Sequence, residues 1–536
     1  MEMELEMAYN ILDILGTMQD AVRQMQKEFA AGNIQNFDSL GMDMQDALRA
    51  VQEVARQEIP VGSRNRLVDT CTCILESLKD IRQSAYKWSA EKVEWKLEYE
   101  LGAIVEETAR QFYYWGIVDE HPEERQKFSE YVADTDTFRI LKKPEEEREY
   151  FCDLVILVIC YNKLEYTMNC VQHIRENLPT GIKSELVLFN HGSSDGTKVH
   201  FENMEGIRVI NAAVNGVVLG IIYKAESRGR CCLVVSNDVM VGSNAIQNLF
   251  RCITGHPDYG YVVPSTPAVS NLQSIPAKYT GREEFDKFAR KNNVYDERRH
   301  EQRVRLVNPI HIMPCTVLLQ MELDLYEDKT CSRMPWAFPD DKMSCWMRRH
   351  GYKCILAKDA YCHHVGSVTI NSEIDKQEER DRMYLEGRKD FLAHYGVDPW
   401  GVGSCYEPVL FASWETDPVD GACVLGINCG IGSNSLKVKE LLREQGAEDV
   451  CLINCVQDER YLQDLRGVSE ETYVFEQLSD IVVMTKREWY DYIVVEEAVT
   501  GCCQELMEQE LLNAGIRFGQ IAYMVGEEWR IRAHAK

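Results

Sequence analysis

At 536 residues the chain is longer than one hydrophobic core supports, about 250–300 residues, so two or three domains are expected. Its 45% hydrophobic and 27% charged residues exclude the disordered and fibrous classes. The longest apolar stretch beside a strand signal, Leu154 to Cys160, is far short of the ~20 residues a membrane-spanning helix needs, and a formal net charge of −27 repels nucleic acid and anionic lipid.

The chain starts Met1-Glu-Met-Glu-Leu-Glu-Met7, without the basic start and apolar run of a secretory signal, so a cytoplasmic location is expected. Twenty cysteines are scattered through apolar patterns, which reads as buried thiols rather than a disulfide framework or a zinc site. Any phosphate-bearing ligand of so acidic a chain should meet a metal ion or a local arginine cluster.

Residues 1–148 read as an all-helical domain, with amphipathic runs at Ala8–Met25 and Leu67–Trp88 and breaks at Gly32-Asn33, Pro60-Val-Gly62 and His121-Pro122. The aromatic run Phe112 to Trp115 reads as core. If copies of the chain associate, this segment is the expected contact. The run Lys142-Lys-Pro-Glu-Glu-Glu-Arg148 has linker composition.

Residues 149–400 alternate short apolar runs with amphipathic segments, the pattern of a largely parallel sheet with helices. The expected strands are Leu154–Cys160, Glu185–Asn190, Ile207–Asn211 and Cys231–Ser236, with helices from Leu164, Thr197 and Val217. Ligands of such sheets bind at the carboxyl ends of strands. Those ends carry Tyr161-Asn162, Asn190-His191-Gly-Ser-Ser-Asp195-Gly-Thr and Ser236-Asn237-Asp238. A carboxylate at a buried strand end, as at Asp238, suits a hard cation bridging a diphosphate. Farther on, Asp340-Asp341 stand at a helix start that Gly351-Tyr352 closes, and His363-His364-Val-Gly-Ser367 follows a strand. The acids are either caps or chemistry, and the histidines either ligands or a satisfied loop pair.

Taken in order, these motifs resemble the family 2 inverting glycosyltransferases, whose catalytic domain has the nucleotide-diphospho-sugar-binding GT-A fold. The resemblance covers about residues 151–395 and includes Asn215-Gly216. It implies transfer of a sugar from a nucleotide-diphospho-sugar, with a UDP-sugar the expected donor, to the hydroxyl of a protein, glycan or lipid-linked sugar acceptor. It implies donor binding by Tyr161, Asn162, Asn190, His191, Asp195, Asn215, Asn237 and Asp238. A divalent metal, Mn or Mg, is implied at Asp238 with His364 or, failing that, His363, and Asp340 or Asp341 is implied as general base. Ser236 stands where the family's metal motif often has its first acid, and Asn190 where the family usually has an acid that recognises uridine. The basic run Arg298, Arg299, His300, Arg303 and Arg305 reads first as a solvated face and second as a substrate contact.

Residues 405–536 read as a separate Rossmann-like α/β domain, with strands at Ala422–Ile427, Val450–Asn454, Thr472–Phe475 and Tyr492–Val495. The segment Val424-Leu-Gly426-Ile-Asn428-Cys-Gly430-Ile-Gly432 resembles the first motif of class I S-adenosylmethionine methyltransferases. The resemblance is degenerate at Gly426, Asn428 and Asn454, so a noncatalytic module is expected. Two alternatives accompany the transferase reading: a pseudoenzyme that keeps the fold as a binding scaffold, and a bifunctional enzyme that also methylates.

Overall fold

The computed structural model describes residues 4–59, 66–326, 338–366, 377–412 and 414–533. The break expected at Pro60–Gly62 and the residues Ser367–Thr369 after the histidine pair lie outside them. The chain divides into two compact units, Met1–Val239 with Met313–Arg333, and Met240–Ile312 with Met334–Lys536. This grouping joins segments by contact, whereas the division into 1–148, 149–400 and 405–536 follows chain order.

The first unit opens with helices α1 (Leu5–Ala30), α2 (Ile34–Glu58) and α3 (Leu67–Ser84). Ala8, Ile11, Leu15, Met18, Val22 and Met25 recur every three or four residues along α1 and form its buried stripe. Phe112, Tyr113 and Tyr114 are core residues. The parallel strands β1 (Cys152–Cys160), β2 (Ser184–His191), β3 (Arg208–Ala212) and β4 (Gly229–Ser236) follow in the spatial order β3-β2-β1-β4. Apolar runs as continuous as Leu154–Val158 fit strands covered on both faces.

The helical segment is keyed to β3 by buried polar contacts. Lys96 and Glu100 lie in a π-helical stretch, Lys96–Gly102, and pair at 2.6 Å. Glu100 also accepts the Asn211 backbone N–H at 2.8 Å, and the Trp95 indole N–H donates to the Val209 carbonyl at 3.2 Å. Paired this way the charges are satisfied inside the unit, which limits the desolvation penalty of burying them.

Glu226 is buried in the same unit, with its Oε2 unpartnered, and burial pushes its carboxyl up to about 8. A raised carboxyl favours folding below the unfolded value, near 4.5, and that contribution is lost as pH rises towards 8, because the unfolded chain releases the proton first. Glu226→Gln should therefore raise stability at pH 8 by about 3 kcal/mol and have little effect at pH 5. Urea midpoints at the two pH values measure this, and an equal change at both would refute it.

The second unit contains β6 (Tyr259–Ser265), β7 (His300–Arg303) and β9 (Lys353–His364), with most of β5 (Val239–Val241) and of β8 (Ile310–Pro314). Strand β6 runs parallel to β9 and antiparallel to β8, and β7 is antiparallel to β9. A six-stranded sheet follows: β10 (Cys423–Ile427), β11 (Cys451–Val456), β12 (Glu471–Val474), β13 (Trp489–Val495), β14 (Arg517–Val525) and β15 (Glu528–Ala533). Its order is β12-β11-β10-β13-β14-β15, all parallel except β15. Buried ion pairs join it to the rest of the unit: Asp464 receives Arg348 at 2.6 Å and Arg349 at 2.7 Å, and Lys437 reaches Glu301 at 2.8 Å.

Among the described residues no helix is long and apolar enough to cross a membrane, and no disulfide links the cysteines.

Candidate active site

In the first unit the parallel register sets strand ends side by side: Cys160 faces Asn190, Asn190 faces Asn211, and Ile159 faces Ser236. The residues that leave these strands therefore gather at one sheet edge. They include Tyr161, Asn162, Asn190, His191, Asp195, Asn215, Asn237 and Asp238.

Most of their polar groups are spent on fixing that edge. Asn162 adopts left-handed backbone, donates its N–H to Ser193 Oγ at 2.8 Å and accepts Ser194 N–H at its Oδ1 at 2.9 Å. The Asn190 amide donates to Asn211 Oδ1 at 2.9 Å and accepts Ser193 N–H at 3.1 Å. His191 Nε2 accepts Gly216 N–H at 2.8 Å, and burial together with the Arg66 charge pushes this imidazole down to about 4, so it is neutral. Gly192, at φ +77°, is required because a Cβ there would lie 2.9 Å from Asn215 N. Asp195 accepts Leu164 N–H at 2.8 Å and Thr197 Oγ–H at 2.6 Å; these bonds outweigh burial and hold its carboxyl below the usual range. Asn237 is turned inward, donating to Thr167 Oγ1 at 2.9 Å. Asp238 follows as a buried carboxylate.

In the second unit Pro339–Arg349 forms the helix whose first turn carries Asp340 and Asp341. Asp341 is tied to the Arg305 guanidinium, while burial raises its carboxyl and Arg305 opposes the rise. Burial and then the Asp341 charge push Asp340 up to about 7. Two adjacent carboxyls are thus differentiated: one is held in an ion pair, and the other changes protonation near neutral pH. The histidines end β9. His363 Nδ1 bonds the Tyr279 hydroxyl, and His364 Nδ1–H donates to the Ala268 carbonyl at 3.0 Å.

Arg298 is exposed, and the rest of the basic run is used internally rather than as a solvated face. His300 pairs with Asp359 at 3.1 Å, Arg303 with Glu301 at 2.9 Å, Arg299 donates to the Asn292 carbonyl, and Arg305 holds Asp341. Glu301 is two residues from Arg303 on the same strand, while Asp359, Asn292 and Asp341 come from other elements, which sequence spacing does not reveal.

Beside Asp238, the Asn237 amide points to Thr167 and the Ser236 carbonyl accepts from Cys170 Sγ at 3.7 Å. Among the described residues no group of three or more His, Cys, Asp or Glu side chains is placed to hold a metal ion.

At the second sheet the order reverses between β10 and β13, the switch point where doubly wound sheets bind ligands. Here the glycine-rich turn is covered by the chain itself. Ile431 N–H donates to the Val402 carbonyl at 3.2 Å and Ser433 N–H to the Gly403 carbonyl at 3.0 Å. The Gly403 N–H in turn donates to Glu496 at 3.2 Å. Asn454 donates to Ser469 at 2.7 Å and accepts from Ser435 at 2.8 Å, so its amide is engaged within the domain. A Cβ at Gly426 would lie 1.9 Å from Asn454 Oδ1, so no acid fits there.

No protein-family model matches the chain, and no curated protein is similar to it. Among solved structures it is similar to GalNAc-T7, determined with UDP, GalNAc and Mn2+, at 10% identity and a TM-score of 0.31, over 45% of this chain and 52% of that one. The chain thus spans about half the length of GalNAc-T7. It is also similar to the mannosyltransferase PcManGT from Pyrobaculum calidifontis, in complex with GDP-Man and Mn2+, at 13% identity and a TM-score of 0.28, over 55% of this chain and 75% of that one. Both likenesses to glycosyltransferase structures are partial.

Proposed function

We propose that the chain is a cytoplasmic family 2-like glycosyltransferase that moves a sugar from a nucleotide-diphospho-sugar, a UDP-sugar first among candidates, to an acceptor hydroxyl with inversion. The observation that carries this reading is the in-register polar edge at the ends of β1, β2 and β4, where Asn162 bonds Ser193 and Ser194, Asn237 donates to the Asn162 carbonyl, and Asp195 accepts the Leu164 N–H. Its donor-binding residues are Tyr161, Asn162, Asn190, His191, Asp195, Asn215, Asn237 and Asp238. Several of these act by shaping the edge, since their amides already bond one another. In this proposal the segments 1–148, 149–400 and 405–536 are a helical domain, a GT-A-like domain and a noncatalytic Rossmann-like module.

The general base is Asp340, with Asp341 as the charge that tunes it. The Asp340 carboxylate takes the acceptor's hydroxyl proton as that oxygen bonds the anomeric carbon. The bond from that carbon to the donor's diphosphate breaks, and its electron pair leaves with the diphosphate. A binding scaffold without turnover is the second reading, favoured by the internal use of the Asn162, Asn190 and Asn237 amides.

Thermal shift of the full chain with UDP-glucose, UDP-N-acetylglucosamine and GDP-mannose tests donor binding, since a bound ligand stabilises the fold by mass action. Donor hydrolysis separates enzyme from scaffold. Asp238→Ala should weaken donor binding by about tenfold or more, ~1.4 kcal/mol. A divalent ion enters only through Asp238: a manganese-dependent shift lost in Asp238→Ala supports it, and an equal shift in EDTA removes the metal from the proposal. Unchanged donor affinity in Asp238→Ala would exclude the residue from the site.

A further inference from the structure

Strands β10 and β11 set two cysteines side by side. Cys423 and Cys451 are partners at the first rung of this parallel pair, so both side chains leave the same face of the sheet. That face is apolar: Cys423 is continued along β10 by Leu425 and Ile427, and Cys451 along β11 by Ile453 and Cys455, all within one core cluster. Neighbouring strands run about 4.7–4.9 Å apart, within the Cα separation of about 4.4–6.8 Å that a disulfide spans. The pair can therefore be bridged across the existing rung. The Cys451 N–H donates to the Ala422 carbonyl at 2.9 Å and the Cys423 N–H to the Asp491 carboxylate at 2.8 Å, so a bridge between the sulfurs breaks neither bond.

The two thiols differ as an attacking and a resolving thiol must. Cys423 is buried, whereas Cys451 is partly exposed, and the β12 ladder joins β11 only from Ile453 onward. The Cys423 S–H donates to the Cys451 sulfur, which holds the Cys451 thiol below the ordinary range and pushes the Cys423 thiol up. Burial, Glu470 and Glu471 oppose the lowering at Cys451, and Arg487 supports it; burial and Asp491 add to the rise at Cys423. Among the described residues the other thiols that solvent reaches are Cys405, Cys502 and Cys503. Burial pushes up Cys405 and Cys502, and Cys503 donates to the Glu505 carboxylate at 3.2 Å.

We infer that Cys451 and Cys423 form a peroxide-reactive dithiol, a modification site at which oxidation links β10 to β11. The Cys451 thiolate attacks one peroxide oxygen: an S–O bond forms, the O–O bond breaks, and the leaving hydroxide becomes water with the proton that Cys451 gave up. The Cys423 sulfur then attacks the Cys451 sulfur. The S–S bond forms, the S–O bond breaks, and the departing hydroxide takes the Cys423 proton and leaves as water. Two thiols lose two electrons in all, and one peroxide is reduced to two waters. Both cysteines stand at the amino ends of their strands, away from the glycine-rich turn at the carboxyl ends, and the inference is independent of the transferase reading.

Stepwise addition of hydrogen peroxide to the reduced full chain, followed by N-ethylmaleimide blocking and non-reducing peptide mass spectrometry, tests the inference. The Cys423–Cys451 link should form first and be about tenfold more abundant than any other, since oxidation follows thiolate character and access. In Cys423→Ala that link cannot form, and Cys451 should accumulate as a sulfenic acid that dimedone traps. Alkylation of Cys451 by iodoacetamide should also shift to higher pH in this variant, because the donated hydrogen bond is gone. Cys451→Ser should leave Cys423 reduced. A different first link, no link at all, or oxidation of Cys423 at the wild-type rate in Cys451→Ser would overturn the site, as would a Cys451 alkylation profile unmoved by Cys423→Ala. The wild-type peptide map decides the matter even where a variant fails to fold.

Discussion

Asp340→Asn should abolish sugar transfer, a loss of about 10²–10⁴-fold, and leave nucleotide-sugar binding nearly unchanged, because a general base acts on the acceptor and not on the donor. The pH profile carries the sharper signature. Burial and the neighbouring Asp341 charge push the Asp340 carboxyl up to about 7, so it is protonated and inactive below that value. Transfer should therefore rise as pH climbs through about 7 and level off above it. Asp341→Asn removes a negative charge beside Asp340 and releases Arg305 from its ion pair, and both changes favour the ionised base. The midpoint should move to lower pH while the plateau persists at reduced height. Turnover of Asp340→Asn at the wild-type rate would place the base elsewhere. A pH midpoint unmoved by Asp341→Asn would mean that the two carboxyls do not interact.

Local signals account for much of the fold. Leu154–Cys160 lies within β1 and Cys231–Ser236 within β4, because a strand covered on both faces must be apolar throughout and must end where polar residues begin. Helices start at Leu164 and Thr197 where left-handed Lys163 and Gly196 precede them. The same rules place Asp340 and Asp341 in a first helical turn, where acids complement the dipole. What sequence spacing cannot carry is the partner of a buried charge. Asp464 meets Arg348 and Arg349, Glu100 meets Asn211, and Arg305 meets Asp341, each across elements far apart in the chain. The Arg298–Arg305 run consequently reads as a solvated face although His300 and Arg303 are buried. For the candidate donor edge, the sequence names the residues and their strand ends. It does not say that Asn190 bonds Asn211 or that His191 bonds Gly216, and those bonds decide which atoms are left for a ligand.

Gly403→Ala should destabilise the second unit by about 3–5 kcal/mol, and the full chain should show no binding of S-adenosylmethionine at micromolar concentration. Both expectations come from one contact. Gly403 sits at φ +71°, and a Cβ there would lie 2.1 Å from the Cys429 carbonyl oxygen and 2.7 Å from Ile431 N. Left-handed strain alone contributes about 1–2 kcal/mol, and the clash with backbone that cannot swing aside adds the rest. Gly421→Ala separates the two terms, since Gly421 has φ +72° and open space around its Cβ position, and it should lose only the strain. The tight packing that makes Gly403 necessary also fills the turn: Val402 and Gly403 occupy the amides of Ile431 and Ser433, and Glu496, which in an open site would face the ligand, is bonded to Gly403 and Asn434. A cofactor would have to displace that segment and still find no carboxylate at Asn454, whose amide is bonded to Ser435 and Ser469. The measurement belongs on the full chain, because a fragment starting at residue 405 lacks the covering segment and exposes amides that the protein keeps closed. Calorimetry on the full chain with micromolar S-adenosylmethionine affinity would reopen the bifunctional reading, and equal losses in Gly403→Ala and Gly421→Ala would show that the segment does not pack against the turn.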